Sequence, residues 1–219
     1  MKRLLLTLGL VFTAPVALAQ DIGKPLDDKV VTYVLPPDQA VVVVRFFATQ
    51  MSGDNRMLWS RIRDDADPTA APDNVVDLLA EGFNATYRYS LFGGSKDATV
   101  TRVIPVKPGR YVMSGRTANA NWRDSFCFGA PYFSIAAGEV RYIGDYEVFM
   151  LRKMWDGQYR NGLRYEADLP AARTALAARF PDLADKMTAW QPANGAQFDC
   201  AGDEFVRYDL PQSAVAGPP

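Results

Sequence analysis

Hydrophobic and polar positions divide the chain into two parts with different periods. From Ala40 to about residue 166 the apolar residues fall in short runs broken by turn residues, with a period near two. From Asp168 to Trp190 they recur at helical spacing. The run AVVVVRFFA, Ala40 to Ala48, is β-branched and aromatic and apolar on both faces, so it predicts a strand covered on two sides. Val30 to Val34 reads as an edge strand before it, and MLWSRIR, Met57 to Arg63, as a shorter strand after it. Asp64 to Asp73, rich in Asp, Pro and Ala, reads as an exposed loop.

Further along, TYRYSLF (Thr86 to Phe92) stops at Gly93-Gly94-Ser95 and is answered by ATVTRVIPV (Ala98 to Val106), which predicts a hairpin. Pro108-Gly109 turns the chain into RYVMSG, and the loop RTANANWRDS leads to FCFGAPYFSI, Phe126 to Ile135. A turn at Ala136-Ala137-Gly138 then opens GEVRYIGDY. Simple alternation puts Val140, Tyr142, Tyr146 and Val148 on one face and Arg141, Asp145 and Glu147 on the other, a strand with one wet face. Gly144 falls on the apolar side, where a missing side chain marks a bulge or a close neighbour. Short strands at regular spacing predict a mostly β fold, an antiparallel β-sandwich.

The pattern changes at DLPAARTALAARF. Asp168 is a helix N-cap with Pro170 in the first turn, where a missing N–H costs nothing. Leu169, Ala172, Leu176 and Phe180 share one face; beyond Pro181 the spacing continues through Leu183, Met187 and Trp190. The prediction is one kinked helix or two short ones over about 168–190, docked on the sheet by these apolar residues rather than holding a cofactor. The tail FDCAGDEFVRYDL returns as a strand, and residues 212–219 read as a disordered end.

The N-terminus adds a compartment. Lys2 and Arg3 precede the apolar run Leu4 to Phe12, and Ala17-Leu18-Ala19 offers a small-x-small cleavage site. That is the order of a secretory signal peptide, residues 1–19, too short in its apolar run to span a bilayer. A single domain over residues 20–211 follows, periplasmic or secreted, with no further segment apolar enough to cross a membrane. After Ala19, 22 basic residues face 25 acidic ones, a mildly acidic balance without basic runs. It argues against nucleic acid as a partner.

Two cysteines, Cys127 and Cys200, in an exported chain read as a disulfide. In the chain-entropy model it would contribute about 4.5 kcal/mol. The competing reading is two separate buried thiols. Histidine is absent from the whole chain. Ser-His-Asp and Cys-His nucleophiles, histidine zinc sites and imidazole acid–base chemistry are thereby excluded.

The most site-like segment is NANWRD. Asn119, Asn121, Trp122, Arg123 and Asp124 place an aromatic plane beside amides, a guanidinium and a carboxylate, a set suited to stacking on and hydrogen-bonding a glycan. The plainer alternative is a loop capped by its own side chains, since Asn and Asp are ordinary turn residues. Glu139, Asp145, Glu147, Asp199, Asp203, Glu204 and Asp209 form the carboxylate pool for any glycosidase chemistry. On a strand face Asp145 and Glu147 would stand about 7 Å apart, a spacing common on solvated faces. Asp203 and Glu204 lack a calcium-loop context, the methionines are scattered as core residues are, and Asn84-Ala85-Thr86 is a short, common triplet. No metal or cofactor is expected.

Four features in order, Pro108-Gly109-Arg110-Tyr111, Phe133 before the Gly138 turn, Tyr142-Ile143-Gly144-Asp145, and LAARFPDLADKM from Leu176, resemble a broad group of uncharacterised bacterial envelope proteins. These are secreted or lipid-anchored and carry small β-sandwich domains. The resemblance covers about residues 98–190. It implies a fold and a compartment and supplies no catalytic residue; the lipid-anchored members' cysteine is missing after Ala19. The expected function is non-catalytic ligand binding or scaffolding in the cell envelope, with an envelope protein or glycan as partner. The alternatives are a carboxylate-dependent enzyme acting on cell-wall or exported glycan, and a subunit of an envelope assembly.

Overall fold

The computed structural model describes residues 22–47, 53–64, 79–89, 99–118, 130–153, 157, 159–190, 193–196 and 207–209. The fold is mostly β, with two sheets and two short helices. The strands are β1 (Ala40–Phe47), β2 (Gly53–Ile62), β3 (Leu79–Tyr89), β4 (Thr99–Val106), β5 (Gly109–Ala118), β6 (Ala130–Ile135), β7 (Val140–Lys153) and β8 (Tyr159–Glu166). Helices α1 (Leu169–Ala177) and α2 (Pro181–Lys186) follow, then β9 (Met187–Ala189), β10 (Ala193–Ala196) and β11 (Arg207–Asp209). One sheet runs β11-β8-β7-β1-β4, with β9 also beside β7; the other runs β10-β6-β5-β2-β3.

The valine run explains itself in β1. Ala40, Val42, Val44 and Phe46 enter an apolar cluster shared with the second sheet, while Val41 and Val43 enter another shared with the helices. A strand covered on both faces can afford no polar alternation. Arg45, on the helix side, is the one exception in the run.

Pairing departs from the expected antiparallel scheme in the first sheet. The second sheet is antiparallel throughout its ladders. In the first, β1 pairs with β7, β9 with β7 and β11 with β8 in parallel. The expected hairpin of residues 86–106 does not form either: β3 pairs with β2 and β4 with β1, so the two strands belong to different sheets. Alternation identifies a strand and its apolar face, but either pairing buries that face, so the pattern could not choose between them.

The helical region is two short helices. The Asp168 side chain accepts from the Ala171 N–H at 3.0 Å, capping α1, and Pro181 opens α2. Helix ends at Lys186, short of the expected residue 190: Met187–Ala189 is extended and pairs with Val140 to Tyr142 of β7. Met187 stays in the helix-side cluster while Trp190 passes into the inter-sheet one. Val30 to Val34 is not a strand. Its inward residues are Val30, Tyr33 and Leu35, a spacing that a two-residue alternation cannot produce. The tail does return as β11; residues 210–219 lie outside the described residues.

Candidate functional site

Of the residues singled out for ligand binding, Asn119, Asn121, Trp122, Arg123 and Asp124 all lie outside the described residues, as do Cys127, Cys200, Asp199, Asp203 and Glu204. Glu147 and Asp209 are placed by their backbones, opposite Arg164 of β8 in both cases. Two carboxylates of the pool therefore have described side chains, Glu139 and Asp145. Glu139 sits at the turn before β7, where its Oε2 accepts from the Ala136 N–H and from Arg141 Nη2, both at 2.8 Å. The backbone bond, ahead of Arg141, holds its carboxyl below the usual range.

Asp145 overturns the wet-face expectation. It is 1% exposed, the one buried charged residue among those described. The reason is Gly144. Val43 of β1 stands opposite Tyr142 and Arg45 opposite Asp145, so two steps along β1 match three along β7. That extra residue is a bulge, and it shifts the alternation by one. Tyr142 accordingly faces the helices and Tyr146 the second sheet, although simple alternation put them together. Asp145 joins Tyr142 on the helix side. Gly144 has φ +114°, and a Cβ there would stand 2.1 Å from Cε2 of Tyr165, so the ring of β8 occupies the space of the missing side chain. The bulge also falls where β7 changes neighbours, from β9 through Tyr142 to β8 from Asp145.

The buried group is fully engaged. Tyr142 donates its hydroxyl to Asp145 Oδ1, and Arg45 Nη1 lies 3.3 Å from Asp145 Oδ2. The Asp168 N–H donates to the Tyr142 oxygen at 3.1 Å, and Arg45 Nη1 to the Asp168 carbonyl at 3.4 Å. One continuous polar chain thus runs from β1 through β7 to the start of α1. Desolvation pushes the Asp145 carboxyl up, against the lowering effects of the Tyr142 hydrogen bond and the Arg45 charge; Asp168 and Glu166 add to the rise. Burial, then the bond to Asp145, raises Tyr142 above the usual phenol range. Burial, then the Asp145 charge, raises Tyr165 to about 12.

Chemically the cluster is a fastener. A catalytic carboxylate must reach its substrate, whereas Asp145 is enclosed and both its oxygens are taken by the protein. Among the described residues no group of three or more His, Cys, Asp or Glu could hold a metal ion, and no helix is long and apolar enough to cross a membrane. Two signals in the sequence pointed to this cluster. A lone arginine in a strand apolar on both faces needs an acidic partner, and a glycine out of step in an alternating strand warns that the alternation ends there. Comparison with family models, curated proteins and solved structures returned no match.

Proposed function

We propose that this chain is a non-catalytic protein of the cell envelope, periplasmic or secreted, that binds or scaffolds rather than transforms its partner. The observation that carries this reading is the enclosure of Asp145. A chain without histidine must turn to carboxylates, lysines or tyrosines for acid–base work, and its one described buried carboxylate is committed to Arg45 and Tyr142. The binding surface in this reading is the loop of Asn119, Asn121, Trp122, Arg123 and Asp124, with glycan as the ligand class, and the reading carries with it a Cys127–Cys200 disulfide that would tie the C-terminal tail to the middle of the domain.

The test uses the exported protein and soluble peptidoglycan fragments, followed by calorimetry and by mass spectrometry of the fragments. Binding without any change in fragment mass is expected. Trp122→Ala should weaken binding at least about tenfold, the scale of a lost aromatic stacking anchor, with an unchanged unfolding midpoint. Cleaved fragments would replace this reading with the glycan-hydrolase one, and intact fragments that fail to bind would remove glycan as the ligand.

A further inference from the structure

Residues 22–35 cross the molecule without joining either sheet. The Gly23 N–H donates to the Pro105 carbonyl at 2.7 Å and the Leu26 N–H to the Val103 carbonyl at 2.8 Å, along the outer edge of β4, which ends the first sheet. Gly23 has φ +84°, and a Cβ on it would stand 2.9 Å from the Gly82 carbonyl of β3, so the segment begins where the edges of the two sheets meet. Leu26 is 6% exposed and, with Val30, Tyr33 and Leu35, packs on the helix-side cluster of Val41, Val43, Val103, Leu176 and Phe180.

Arg179 closes this strap from the helix side. Its Nη2 donates to the Asp27 carbonyl at 2.6 Å and the Val30 carbonyl at 3.0 Å, and its Nη1 to Asp28 Oδ1 at 3.4 Å. The guanidinium rests 4.8 Å from the centre of the Phe180 ring. The strap is therefore held as proteins hold peptides: main-chain bonds at a sheet edge, a charged clasp on main-chain carbonyls, and one deep apolar anchor. Val31 and Val34 point away, 76% and 74% exposed. The connection to β1 is Pro36-Pro37, in a turn closed by the Gln39 N–H on the Pro36 carbonyl at 3.1 Å.

We propose that this groove is an exchange site, and that the groove of one copy accepts the 22–35 strap of a second copy. The fit of that occupant is already displayed, because the second strap has the sequence seated here and keeps every contact except the Pro36–Gln39 turn. Exchange of an identical element about a short hinge is a low-cost route to a dimer. A strap tethered by a short hinge competes at an effective concentration in the millimolar range, so the wild-type chain keeps its own strap at micromolar concentration. Exchange shows itself once the internal option is spoiled.

The experiment pairs two full-length exported variants. Leu26→Asp has a spoiled strap and an intact groove; Arg179→Ala has an intact strap and a weakened groove. Each alone should run as a monomer in light-scattering chromatography at micromolar concentration. Their mixture should give a two-chain species, abolished by excess synthetic peptide of residues 22–35 and unaffected by that peptide carrying Asp at position 26. A mixture that stays monomeric while both variants are folded overturns the proposal. If Leu26→Asp does not fold alone, the peptide is the second readout: recovery of the folded signal in circular dichroism with rising concentration of the 22–35 peptide, and not of that peptide carrying Asp at position 26, supports the exchange site. A chain that stays unfolded at saturating peptide overturns it.

Discussion

Two apolar clusters flank β1, and they are built on different chemistry. The inter-sheet cluster is aromatic. Trp59 lies 5.2 Å from Phe133 and 6.2 Å from Trp190, ring centre to ring centre, and Tyr111 stacks on Phe133 at 5.3 Å. Two tyrosine hydroxyls there are discharged onto backbone, Tyr111 on the Lys107 carbonyl and Tyr146 on the Ile143 carbonyl. The helix-side cluster is mainly aliphatic, with Tyr142 and Phe180 its buried rings, and the Arg45–Asp145–Tyr142 chain lies on its side of the sheet. Area removed from water drives both, but the polar chain adds fixed partners that reach the start of α1. The first cluster supplies stability, and the second also specifies where α1 sits.

The largest blow should fall on the aromatic side. Trp59→Ala empties the centre of the inter-sheet cluster and is expected to cost about 3–5 kcal/mol, the range for deleting a large buried aromatic. Chemical denaturation would read it as a lower midpoint, with α1 still protected in hydrogen exchange at sub-denaturing conditions. Loss of that protection in step with the midpoint would mean that the two clusters are a single unit and would break the comparison.

The charge chain should respond to pH as the aromatic cluster cannot. Arg45→Ala leaves Asp145 enclosed without its cation, at a cost of about 3 kcal/mol near neutral pH, the lower end for breaking a buried pair. The penalty should shrink in acid, because the stranded carboxyl is relieved by a proton. Asp145→Asn tests the sign directly. Burial raises the folded carboxyl above its ordinary value, so the folded state holds the proton more tightly than the unfolded chain. Asp145 therefore contributes most to stability below the ordinary aspartate range, and that contribution is lost as pH rises through the raised folded value. The stability of the wild type relative to Asp145→Asn should fall across that window. A difference that grows with pH would show that Arg45 and Tyr142 outweigh the desolvation.

What could be read in advance follows the same division. The aromatic and aliphatic stretches announced β1, β5, β6 and β7, and the Asp168 cap with Pro181 announced the helical stretch as one kinked helix or two, because a buried face or a cap is written within a few residues. The polar chain was not legible in this way. Arg45, Tyr142, Asp145 and Asp168 are brought together by a parallel pairing between β1 and β7, and by a bulge whose effect on Asp145 depends on that pairing. The hairpin expected across Gly93-Gly94 failed for the same reason. Periodicity reports which face is apolar, while the choice of neighbour is made by contacts far apart in sequence.

The smallest effect isolates the last link. Asp168 takes part through its backbone N–H on Tyr142 and its carbonyl on Arg45, and through its side chain on the Ala171 N–H. Asp168→Ala removes the side-chain cap and leaves both backbone bonds possible, so the cost should be about 1 kcal/mol, that of a lost N-cap. Asp168 is also one of the charges that raise the Asp145 carboxyl. Its removal should therefore lower the pH window in which wild type and Asp145→Asn diverge. A variant that loses stability but leaves that window in place would reduce Asp168 to a helix cap alone. A window that moves would tie the start of α1 electrostatically to the buried carboxylate, the coupling that separates this face of the sheet from its aromatic opposite.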